Sequence, residues 1–102
     1  MSNRMLSMVV AIAALAGLSA TTIASAADER FCDEYAHAAV NQFRSAEHHD
    51  RCEGFMRREP ARWQPDFRAH YDWCRGVSRD AAWDERNART RALDICVRDE
   101  RR

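Results

Sequence analysis

D-E-R-F-C-D-E-Y-A-H-A-A-V-N-Q-F-R-S-A, residues Asp28 to Ala46, is the stretch that decides the fold. Its apolar positions are Phe31, Cys32, Tyr35, Ala36, Ala39, Val40 and Phe43. Steps of one and three alternate between them, which is one face of a 3.6-residue period. Asp28 and Glu29 stand where a helix dipole favours negative charge. The pattern predicts a helix over 28–46.

Upstream of it the chain changes character. Arg4 gives the start a positive charge, Met8 to Leu18 (MVVAIAALAGL) is apolar, and Ala24-Ser25-Ala26 supplies small residues at an exit. These are the three parts of a secretory signal peptide. An 11-residue apolar run falls short of the roughly 20 residues that a spanning helix needs, so no membrane anchor is expected after cleavage. The reading is a signal peptide over 1–26 and one domain over 27–102, periplasmic or secreted.

A core of that size rarely supplies more than about 3–5 kcal/mol by itself. Four cysteines, Cys32, Cys52, Cys74 and Cys96, all follow the cut. In an exported chain an even count reads as two disulfides.

Downstream of Ala46 the helical period fades. Gly54 and Pro60 punctuate residues 47–62, which read as a connection with room for one short turn, and Phe55 and Met56 would tuck it onto the core. A second helix is expected from about Pro65, an acceptable first-turn residue, with the stripe Trp63, Phe67, His70, Tyr71 and Cys74 and an exit at Gly76. Ser78 is a candidate cap for a third helix, with Ala81, Ala88, Ala92, Leu93, Ile95 and Cys96 on one side. Glu85 with Arg89, and Asp94 with Arg98, are acid-before-base pairs four apart. Residues 99–102 read as a polar tail. No segment alternates with period two, so no sheet is expected.

The predicted fold is therefore all-α: an antiparallel three-helix bundle stapled by two disulfides. Running up, down and up, such helices place Cys32 near Cys74 at one end and Cys52 near Cys96 at the other. Four cysteines allow three pairings, and a bridge needs Cα atoms roughly 4.4–6.8 Å apart, which favours Cys32–Cys74 with Cys52–Cys96.

Composition excludes several functions. All 16 basic residues are arginine, one of them (Arg4) in the leader, so 15 face 16 acidic residues in the mature chain. Near-balance with mixed signs is unlike the basic excess of a nucleic-acid binder. There is no C-x-x-C, no C-x-x-C-H, no phosphate-cradling glycine loop and no serine-histidine-aspartate signature, so no enzyme and no cofactor is expected. His48 and His49, between Glu47 and Asp50, are weak metal candidates. So are Asp66 and His70, four apart on one helix face, where a carboxylate could orient an imidazole. The plainer reading of that pair is a capping Asp66 and a core His70. Trp73 and Trp83 fall off the core stripes and read either as exposed anchors that bind a protein partner or as rings lying over the surface to enlarge the core. The expected function is a non-enzymatic interaction or structural module; the alternative is a small metal- or ligand-binding protein using His48, His49 and nearby carboxylates.

Two motifs add a resemblance. Cys32 to Gln42 reads C-x2-Y-A-x2-A-V-x-Q, and Trp63 to Cys74 reads W-x2-D-x3-H-x2-W-C. Together they resemble an uncharacterised group of small exported helical proteins frequent in alphaproteobacteria. A glycine shortly before the first tryptophan is typical of that group; here the stretch is Glu59-Pro60-Ala61-Arg62. The resemblance implies an exported helical domain and assigns no activity.

Overall fold

The computed structural model describes residues 26–101; the signal-peptide reading rests on residues of which 1–25 lie outside that range. Among the described residues there are four α-helices, one 3-10 turn and no strand. Helix α1 runs Glu29–Glu47. A 3-10 turn over Asp50–Cys52 leads into the short α2, Glu53–Arg58. Helix α3 is Phe67–Arg75 and α4 is Arg79–Arg101. None of them is long and apolar enough to cross a membrane.

Each longer helix starts where a side chain can satisfy an orphan backbone N–H. The Asp28 carboxylate accepts from the Phe31 N–H at 2.8 Å, and Asp66 accepts from Arg68 N–H at 3.0 Å. Ser78 Oγ accepts from the Ala81 N–H at 3.1 Å. The Asp66 cap corrects the expected start of the second helix: Pro65 lies just outside the cap rather than in the first turn.

Four further expectations are corrected. Residues 47–62 hold a 3-10 turn and a six-residue helix rather than a connection with one short turn, and Gly54 lies inside α2. Glycine weakens a helix by about 1 kcal/mol, but Phe55 and Met56 pack this turn against the core around Trp63, which overrides local propensity. The tail continues as helix to Arg101, since nothing after Gly76 breaks the period. On α4, Ile95 is 56% exposed, whereas Ala82, Arg89 and Cys96 are buried. That stripe repeats every seven residues, and an arginine at its centre hides it from a hydrophobicity count. Asp94 and Arg98 form no ion pair among the described residues, while Glu85 and Arg89 do, at 3.6 Å.

The core is thin and divided. One cluster joins Ala27, Cys32, Tyr35, Cys74 and Ala82; the other joins Ala46, Cys52, Trp63 and Cys96. Alanine and half-cystine dominate both, with Tyr35 and Trp63 as their large buried side chains. A disulfide sits in each: Cys32–Cys74 with Cα atoms 5.6 Å apart, and Cys52–Cys96 at 5.1 Å. Cysteine thus supplies covalent connection where aliphatic side chains are scarce. Ala27 is buried at the first cluster, and its N–H donates to the Val77 carbonyl at 3.0 Å. Ala26 forms an isolated bridge with Ser78.

Candidate functional site

Between the two apolar clusters lies a polar layer. Arg89, on α4, is 1% exposed. Its Nε donates to Gln42 Oε1 of α1 at 2.8 Å, and its Nη1 stands 3.6 Å from Glu85 Oε2. The amide of Gln42 is fixed from its other side, where Nε2 donates to Thr90 Oγ1 at 2.9 Å. The guanidinium carbon lies 5.1 Å from the ring centre of Tyr35, near enough for a cation–π contact. Nη2 is buried and has no hydrogen-bond partner.

Glu85 is shared. Arg62 donates to both its carboxylate oxygens, at 2.6 and 3.1 Å, in the two-pronged geometry that suits a guanidinium. These bonds to Glu85 tie the loop after α2 to α4, and within that loop Arg62 also meets Glu59 at 3.3 Å. With Arg62 holding it, Glu85 offers Arg89 a loose contact instead of a short bond.

Tyr35, Glu59, Arg62, Glu85 and Arg89 line a cleft of about 520 Å³ bounded by α1, α3, α4 and the loop after α2. Tyr35, His70 and Arg89 are its buried residues; Arg58 and Trp73 are exposed. The Nε2 of His70 lies 2.9 Å from the Gln64 carbonyl oxygen. An oxygen facing that nitrogen requires it to carry the proton, which leaves Nδ1 as the acceptor of the neutral ring. Burial pushes the imidazole below its ordinary pKa, with the Gln64 contact acting in the opposite direction. Burial likewise pushes the Tyr35 hydroxyl above its ordinary pKa, against the pull of Arg89.

The residues singled out by sequence fall into three groups. Asp66 caps α3 and does not orient His70, whose partner is a backbone carbonyl. His48 and His49 lie at the end of α1 and before the 3-10 turn. Among the described residues, no group of three or more His, Cys, Asp or Glu is arranged to hold a metal ion. Trp73 and Trp83 are 43% and 44% exposed. Trp73 leans on Tyr35 with ring centres 5.7 Å apart. Trp83 meets Phe31 edge to face at 6.0 Å, and Arg86 lies over its ring at 5.1 Å. Sequence reading missed Gln42, Arg62 and Arg89 as a connected group. The signal for Arg89 was its place seven residues from both Ala82 and Cys96.

No family model matches the chain, and neither a curated protein nor a solved structure is found to be similar to it.

Proposed function

We propose that this chain is an exported, non-enzymatic interaction module whose three longer helices run up, down and up. The two disulfides support the address, since such bonds form and persist in oxidising compartments. All four cysteines are consumed by them, which leaves no thiol nucleophile. The residues that carry the alphaproteobacterial resemblance have structural positions: Cys32, Tyr35, Ala36, Ala39, Val40, Trp63, His70 and Cys74 are buried, and Gln42 holds Arg89. Asp66 is exposed but caps a helix, so Trp73 is the exposed member of that set without a capping role.

The observation that carries the proposal is the exposure of Trp73 and Trp83. A domain this poor in large core side chains leaves two tryptophans nearly half in water, each held by a second aromatic ring. Rigid, half-exposed tryptophans bury a large area at little further entropy cost and are typical interface anchors.

Site-specific photo-crosslinking in exporting cells tests this. A photoreactive side chain at position 73 or 83 should give the same discrete adduct, and one at exposed Asp94 should not. Adducts of equal yield from all three positions, or none from 73 and 83, would refute it.

A further inference from the structure

We propose that the cleft between α1, α3 and α4 binds one organic monocarboxylate. The acid's oxygens are held by Arg58 and, once they displace the side chains that cover it, by Nη2 of Arg89, and its flat body lies against Trp73. The inference rests on Trp73 being a contact residue and adds the chemistry it serves.

The argument begins with Nη2 of Arg89, a buried donor on a charged group with no acceptor. Such a group forfeits its hydration without compensation, and buried guanidinium groups are normally paired in full. Of the acceptors close by, Gln42 and Glu85 are engaged by other donors, and the Tyr35 hydroxyl, which interacts with the guanidinium, makes no bond to Nη2. Gln42 Oε1 takes Nε, and both oxygens of Glu85 take Arg62. Arg89 is thereby kept one acceptor short, with Tyr35 and Glu85, both cleft residues, beside it.

Charge then selects the ligand. Three arginines (Arg58, Arg62 and Arg89) face two glutamates (Glu59 and Glu85) around the cleft, and His70 is held toward its neutral form. One positive charge is left over. Arg58 forms no ion pair among the described residues. A single negative charge balances this set, whereas a phosphate dianion would exceed it. A carboxylate also presents two coplanar oxygens, which suit guanidinium donors.

Shape agrees. A volume of about 520 Å³ lies within the usual range for small-ligand sites, roughly 300–1,000 Å³. Trp73, backed by Tyr35, supplies an aromatic surface at the edge. The same carboxylate could be offered by a free organic acid or by the C-terminus of a protein ending in an aromatic residue.

Calorimetric titration of the oxidised, full mature chain tests the site. The probes are benzoate, benzamide, inorganic phosphate, and a short peptide ending in phenylalanine as the free acid or the amide. Benzoate should bind one to one, at least about 10-fold more tightly than benzamide. Trp73→Ala should weaken benzoate about 2–10-fold, the range for one aromatic contact, and Arg58→Gln up to about 5-fold. Both residues are exposed, so neither variant depends on refolding the core. Arg89→Gln should abolish binding where circular dichroism shows it folded. A free-acid peptide that outbinds benzoate would place the carboxylate on a protein; the reverse would place it on a free acid. Either supports the shared chemistry.

No saturable benzoate binding, equal affinity for benzamide, or tighter binding of phosphate would overturn the inference. Adducts from position 83 would persist in that case, which separates this failure from failure of the interaction module itself.

Discussion

Removing the bridge between Cys52 and Cys96 should bring the domain to the edge of unfolding. The bridge joins residues separated by 44 positions. In the chain-entropy model a loop of that length stabilises by about 4 kcal/mol. A domain of this size has a net stability of about 4–11 kcal/mol by the usual per-residue range. The double variant Cys52→Ala, Cys96→Ala therefore loses a third or more of the total. For a domain of this length the corresponding fall in Tm is about 15–30 °C. Loss of the second bridge, which spans 42 positions, should remove a similar amount, so that both together take about 8 kcal/mol and leave at most about 3. Trp63 lies in the cluster around Cys52, so its fluorescence, isolated in a Trp73→Phe, Trp83→Phe background, reports that end, while far-UV circular dichroism reports the helices. Guanidinium denaturation followed by both probes gives the change. A double variant within about 1 kcal/mol of the parent, or a fully reduced protein with unchanged helicity, would show that the apolar clusters suffice alone.

Other consequences follow from the polar layer and the caps. Gln42→Leu should cost about 1.5–3 kcal/mol in urea denaturation, because it strips an acceptor from a buried guanidinium. Arg89→Met should cost less than Gln42→Leu, since it removes the charge along with its needs; the opposite ranking would sink this account of the layer. His70 titrates below its ordinary value of 6.5 in the folded state, so the unfolded chain binds the proton more readily. Stability should be full above that value and decline as pH falls through it toward the lower folded-state pKa. His70→Gln should flatten that part of the pH profile. Asp66→Ala should cost about 1 kcal/mol by loss of the cap on α3, measured as a lowered midpoint in the same denaturation.

Much of the architecture was legible because it rests on local rules. Helix α1 follows from the spacing of Phe31 through Phe43, and Asp28 and Ser78 were readable as a helix start and a cap. The bridges Cys32–Cys74 and Cys52–Cys96 are the pairing favoured by cysteines placed one helix traverse apart. What escaped depends on contacts distant in sequence. Gly54 marks a break by propensity, yet α2 forms because Phe55 and Met56 have Trp63 to pack on. Ile95 looks like core by composition, yet α4 turns it outward and buries Arg89, since Gln42 on another helix can hold the guanidinium.

The same gap explains the candidate site. Trp73 and Trp83 stand off the helical stripes, and spacing leaves open whether they are exposed anchors or rings laid over the surface; each is half-exposed and leans on a second ring. The cleft beside Trp73 draws on α1, α3, α4 and the loop after α2, and no one segment of the chain announces it. Asp66 and His70 show the reverse. Their spacing suggests a linked pair, but the carboxylate is taken by a backbone N–H, and Gln64 supplies the imidazole's partner.

The central claim is an exported helical domain closed by two disulfides, and intact mass spectrometry tests it most directly. Protein from the periplasm or medium is weighed under denaturing conditions, with and without reductant. The account predicts the mass of residues 27–102 less four hydrogens, and the four hydrogens regained on reduction. A chain that keeps residues 1–26 and carries four free thiols would contradict it.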